Sequence, residues 1–145
     1  MPKAILYVIL GLSICLFAAC LPQQGLSAPG WSGLGILLMG WIEPIAILDV
    51  GPFVAFAWYA NPLLFLTWFF CMTSRNRAAL FCGYAAMALS LSFLLGSRVL
   101  VSESGTPDEI VGCPIGYWLW VGSMLFALAG SFYARDIGLH ELGKA

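Results

Sequence analysis

The cysteines are the residues of this chain with the most reactive side chains. There are five of them, and no two form a CxxC pair: Cys15, Cys20, Cys71, Cys82 and Cys113. Rapid thiol–disulfide exchange usually relies on vicinal cysteine pairs, which are absent from this sequence. The single histidine, His140, lies in a charged C-terminal tail and cannot build a metal site alone. We therefore expect no catalytic residue, no cofactor and no metal site.

The dipeptide Asn61-Pro62 interrupts an otherwise apolar stretch. Proline removes one helical hydrogen bond and crowds a carbonyl, so a kink is expected at this point. The Asn61 amide would then bond a neighbouring helix, which is the interpretation we favour, or contact a ligand.

Acidic residues fall outside the apolar stretches, at Glu43, Asp49, Glu103, Asp108 and Glu109. Carboxylate oxygens bind hard cations, so these five residues are a candidate outward-facing cation site. Their spacing fits no known loop motif, and a solvated acidic face is the favoured interpretation.

The composition of the whole chain excludes most soluble classes. Of its 145 residues, 61% are hydrophobic and only 9% are charged, whereas a soluble domain is about 25% charged. With a net charge of −1, the chain lacks the excess positive charge that attracts nucleic acid. A soluble enzyme, a disordered regulator and a nucleic-acid binder are thus disfavoured.

Four stretches contain no Asp, Glu, Lys or Arg: residues 4–21, 52–73, 78–97 and 115–134. About 20 helical residues cross the roughly 30 Å hydrocarbon core of a bilayer, so each stretch can cross once. Backbone groups in lipid must be satisfied within the segment, which favours helices. The sequence predicts an all-α, single-domain integral membrane bundle of four transmembrane helices, with the lipid bilayer as its first partner.

Basic residues set the predicted orientation. With the N-terminus in the cytoplasm, the inner side holds five of the six cations, and the outer side holds only Arg98; the five are Lys3, Arg75, Arg77, Arg135 and Lys144. Cytoplasmic loops carry the excess of Lys and Arg. We expect an inner-membrane protein with both termini in the cytoplasm.

Residues 22–51 are predicted to form a cap on the outer side. Trp31–Leu48 is apolar apart from Glu43 and Pro44, and a fifth crossing here would abolish most of the charge bias. Apolar residues recur every three or four positions, which indicates one helical face: Trp31, Leu34, Leu38, Trp41 and Ile45. We expect a short helix in the outer interface, or alternatively one packed on the bundle.

Cys20 is predicted at the outer end of the first span, and Cys113 at the outer end of the fourth. An oxidising outer face would allow a disulfide between them, and two unpaired buried thiols are the alternative. Residues 17–20, Phe-Ala-Ala-Cys, also resemble the lipobox of bacterial lipoproteins, in which the cysteine is lipidated. An ordinary first transmembrane helix is the favoured interpretation.

Small residues recur every seven positions in the fourth span, at Gly116, Ser123 and Gly130. Small residues let helix backbones approach closely in lipid. We expect this stripe to pack against another helix of the same bundle, with a homo-oligomer contact as the alternative.

The strings GILLMGW, FAWYANPLLFLTW and GYWLWVGSM resemble those of small, uncharacterised four-helix bacterial inner-membrane proteins. The resemblance covers most of the chain and implies the architecture alone. Quinone-linked disulfide oxidoreductases also share the size and topology, but they need vicinal cysteine pairs.

The function expected from these features is a non-catalytic accessory or partner-binding membrane protein. One concrete version is an immunity-type protein that blocks a membrane-acting toxin. A small transporter or channel subunit ranks second, because the spans offer few polar groups, such as Asn61, Ser90, Ser92 and Ser123. A membrane-embedded thiol oxidoreductase ranks third.

Overall fold

The computed structural model describes residues 2–24, 32–42, 52–96, 98–100, 107–109 and 113–142. Helices dominate this part of the chain, as the sequence predicts. In chain order they are α1 (Pro2–Cys20), α2 (Gly33–Met39), α3 (Pro52–Ala55), α4 (Ala60–Met72), α5 (Asn76–Ser92) and α6 (Ile115–Leu142), with 3₁₀ turns at Ala57–Tyr59 and Phe93–Leu95.

Four helical segments are long and apolar enough to cross a membrane: Lys3–Cys20, Phe53–Met72, Asn76–Leu95 and Ile115–Gly138. The first three agree with the predicted spans to within two residues. The fourth helix continues well past the predicted end at residue 134, because Arg135 and Asp136 end an apolar stretch without ending a helix. Hydropathy marks where lipid contact stops, whereas a helix stops only at a breaker or a cap.

The second span is discontinuous. The 3₁₀ turn Ala57–Tyr59 separates α3 from α4, and Pro62 is the third residue of α4. The kink predicted at Asn61-Pro62 is therefore corrected to a break that ends just before these residues. Proline is well tolerated in the first turn of a helix, where its missing N–H has no partner to lose.

A short hairpin follows the third span. Strand β1 (Arg98–Leu100) pairs antiparallel with β2 (Pro107–Glu109), so that Val99 lies opposite Asp108. The sequence does not predict these strands, because three residues are too few to show an alternating pattern. The spanning region itself is entirely helical within the described residues.

The four spans form an antiparallel bundle with the start of α1 and the end of α6 at the same end. Helix α6 packs against α1 and α5, and α5 packs against α4. The side chains of α1 and α4 close the ring, since Phe17 meets Phe65 and Trp68 edge to face at centroid distances of 5.4 and 5.8 Å. Leu10, Leu64 and Met124 are fully buried between the helices.

Candidate functional site

The small-residue stripe of α6 faces α1. Gly116, Ser123 and Gly130 are all buried. A Cβ atom at Gly130 would lie 3.0 Å from Leu10 Cδ2, and one at Gly116 would lie 2.6 Å from the Gln24 carbonyl oxygen. These contacts belong to one chain, so the stripe is used within the bundle.

Ser13 joins three helices at the middle of the bundle. Its hydroxyl donates to the Ser123 carbonyl of α6 at 2.7 Å and accepts from Trp68 Nε1 of α4 at 2.9 Å. Because helical side chains point toward the helix N-terminus, the Trp68 indole reaches back toward the centre of α1.

The Asn61 side chain supplies hydrogen bonds at the break in the second span. Its Nδ2 donates to the Trp58 carbonyl at 3.0 Å, which is the carbonyl four residues before Pro62 that no proline N–H can bond. Its Oδ1 accepts from Trp120 Nε1 of α6 at 2.8 Å. Both ends of the amide are therefore used in holding α4 to its own preceding turn and to α6.

Every buried polar side chain among the described residues makes a hydrogen bond within the chain. The six are Ser13, Asn61, Thr67, Ser90, Ser123 and Ser131. The other four hydroxyls donate to carbonyls of their own helices: Thr67 to Leu63, Ser90 to Met87, Ser123 to Trp120 and Ser131 to Ala127. The buried polar groups thus find their hydrogen-bond partners within the chain, as a low-dielectric environment requires.

Helix α2, part of the predicted cap, is docked on the end of the bundle where α1 ends. Trp58 Nε1 donates to the Leu37 carbonyl at 2.9 Å. A Cβ atom at Gly40 would lie 2.5 Å from Trp58 Cδ1, and one at Gly33 would lie 2.5 Å from the Cys20 carbonyl oxygen. The glycines outside the predicted apolar stripe therefore make the closest contacts.

The apolar stripe of α2 faces away from the bundle. Leu34, Leu38 and Trp41 are each about half exposed, at 48%, 60% and 52%. Trp31 and Ile45 of the predicted stripe lie outside the described residues. An exposed apolar stripe on a helix that is docked by its other face suits the membrane interface.

The five cysteines all lie among the described residues. All five are free thiols, so the predicted disulfide between Cys20 and Cys113 is not formed in the structure. Cys20 is 4% exposed, and its Sγ donates to the Phe17 carbonyl of its own helix at 3.0 Å. Cys113 is half-buried just before α6, and burial raises the pKa of its thiol.

The predicted acidic face is only partly described. Asp108 and Glu109 belong to β2, next to each other in the hairpin. Glu43, Asp49 and Glu103 lie outside the described residues. In the described part of the chain, no group of three His, Cys, Asp or Glu side chains is close enough to hold a metal ion.

A basic cleft opens at the end of the bundle that holds the start of α1 and the end of α6. Its volume is about 700 Å³, and it is lined by Lys3 of α1, Arg77 of α5 and Arg135 of α6. Sequence reasoning put these cations on one side of the membrane but did not bring them together. Each lies next to the end of a span, and only the packing order of the helices places the three around one opening.

No family model matches this chain, and no curated protein or solved structure is similar to it.

Proposed function

We propose that this chain is a non-catalytic integral membrane protein that acts by binding another membrane protein. The observation that carries the proposal is that all six buried polar side chains in the described part of the chain are paired internally. Catalysis and ion passage both need polar groups that are free to meet a substrate, and these groups are engaged in holding the helices.

Binding would then take place on the outer surface of the bundle. Large apolar side chains cover that surface, including Phe81 at 74% exposed and Leu125 at 57%. Such a surface suits both lipid and the helices of a partner. An immunity-type protein of the inner membrane, with both termini in the cytoplasm, would use it to block a toxin that acts in the bilayer.

A small transporter or channel subunit is the second candidate, and one observation favours it. The second span is broken at Ala57–Tyr59, and discontinuous spans commonly form the substrate sites of transporters. Asn61 weakens this candidate, because its amide already bonds Trp58 and Trp120.

Affinity purification in a mild detergent, followed by mass spectrometry, tests the proposal. We expect a stable, larger membrane protein to co-purify. Phe81→Ala on α5 and Leu125→Ala on α6 change two different exposed faces, so only the variant on the partner's face should lose the partner. Purification of this chain alone, together with ion or solute flux in proteoliposomes, would favour the transporter instead.

A further inference from the structure

Three helices each contribute one cation to the basic cleft. Lys3, Arg77 and Arg135 come from α1, α5 and α6, and all three residues are exposed. Among the described residues that line the cleft there is no carboxylate. Three cations without an acidic neighbour in the lining create a local positive potential that attracts an anion.

The start of α5 adds to this potential. Ser74 and Asn76 line the cleft at the point where α5 begins. The first backbone N–H groups of a helix have no intrahelical acceptor and carry partial positive charge, which favours phosphate and carboxylate groups. Arg is also suited to bidentate contacts with phosphate oxygens.

The deeper part of the cleft is apolar. Leu6 of α1 is 7% exposed, and Leu80 of α5 and Ile137 of α6 are partly buried. A small inorganic anion has no use for this apolar wall. A molecule with an anionic head and a hydrocarbon tail would contact both the cations and the wall, and anionic phospholipids have this form.

We propose that the basic cleft binds the phosphate group of an anionic phospholipid, with the acyl chains against its apolar wall. The cleft lies at the ends of the spans, which is the depth of lipid headgroups. Basic pockets between transmembrane helices are a known form of lipid recognition. The proposal holds whether or not the chain also binds a protein partner.

Native mass spectrometry of the full chain in a neutral detergent tests this inference. The probes are phosphatidylglycerol, phosphatidylcholine with the same acyl chains, and inorganic phosphate. We expect phosphatidylglycerol to bind most tightly. Arg77→Gln and Arg135→Gln should each lower the affinity for phosphatidylglycerol about five-fold, and the double variant about 25-fold. Each cation close to an anionic lipid contributes about a five-fold change in affinity.

Arg75→Gln is the matched control, since Arg75 lies two residues from Arg77, is exposed and is not among the cleft's lining residues. It should change the affinity less than two-fold at 0.15 M salt, where screening acts over about 8 Å. Arg77→Lys keeps the charge and should retain most of the binding, which separates loss of contact from loss of folding. Equal binding of phosphatidylcholine, displacement by an equal concentration of inorganic phosphate, or an equal loss in Arg75→Gln would overturn the proposal.

Discussion

Single small polar residues join the helices of this bundle. Ser123 shows this most directly, because it is fully buried and its carbonyl accepts the Ser13 hydroxyl. In a bilayer, the gain comes from close packing and from hydrogen bonds between helices. The backbones of α1 and α6 can approach only while this position stays small.

Ser123→Leu should therefore push α1 and α6 apart. Overpacking of this kind costs about 1–3 kcal/mol, and we expect a lower thermal midpoint in detergent. Leu125→Ala, at an exposed position of the same helix, is the matched control and should have a smaller effect. Equal tolerance of both substitutions would show that the stripe contributes nothing to packing.

The hydrogen bond from Trp120 to Asn61 should contribute measurably to the stability of the bundle. Asn61→Leu leaves Trp120 Nε1 without its acceptor, and Trp120→Phe leaves Asn61 Oδ1 without its donor. Reversible unfolding in mixed micelles, measured for both variants and for the double variant, should give a coupling of about 0.6 kcal/mol, the average for such bonds in membranes. A coupling of zero would mean that the break at Ala57–Tyr59 does not depend on α6.

The sequence predicted the types of these residues better than their partners. The seven-residue spacing of Gly116, Ser123 and Gly130 is a local pattern, so it can be seen without a structure. The bond from Asn61 to Trp120 joins residues 59 positions apart. That pairing depends on the order in which the helices pack, which no short stretch of sequence specifies.

Helix α2 depends on two glycines for its position over the bundle. Gly40 meets the Trp58 ring, and Gly33 meets the end of α1, with no room for a side chain in either place. The backbone supports the same docking, since Gly33 N donates to the Gln23 carbonyl at 2.8 Å and Leu34 N to the Leu21 carbonyl at 2.9 Å. Because α2 is a short helix docked at one end of the bundle, we expect it to open before the spans unfold.

Gly40→Val should release α2 without unfolding the spans. Hydrogen exchange followed by mass spectrometry should show faster exchange in residues 33–39 and unchanged protection in α4, α5 and α6. Gly11→Val is the control, because a Cβ atom at Gly11 would meet nothing within 4 Å beyond its chain neighbours and the nearby backbone of its own helix. Unchanged exchange in α2 would mean that the contact with Trp58 does not hold the cap.

Element boundaries were predicted best where charge-free apolar stretches mark them. The first three candidate spans end within two residues of the predicted positions, because stretches long enough for the hydrocarbon core are easily seen in the sequence. Outside these stretches this signal is lost, and the sequence missed both the β1–β2 hairpin and the extension of α6 to Leu142. The break before Asn61 was placed a few residues late, because proline marks the first turn of α4 and not the break itself.

At the scale of the whole molecule, charge and chain direction agree. The bundle brings Lys3, Arg77 and Arg135 to one end, and Cys113 lies at the other end with the β hairpin. The positive-inside rule then predicts that the end with both termini faces the cytoplasm.

A reporter fused after Lys144 should be active only in the cytoplasm, and one inserted at Gly105 only outside. Cytoplasmic activity at Gly105 would contradict the four-span topology.

Cys113 offers an independent test of the same topology, because it is the one cysteine outside the four spans. A membrane-impermeant maleimide should label it in intact spheroplasts, and Cys113→Ser should remove that label. Only the thiolate reacts, and burial raises the pKa of Cys113, so little thiolate is present at neutral pH. The labelling rate should therefore rise as the pH is raised from 7 to 9. Labelling that requires permeabilised cells would place this end of the bundle in the cytoplasm and reverse the predicted orientation.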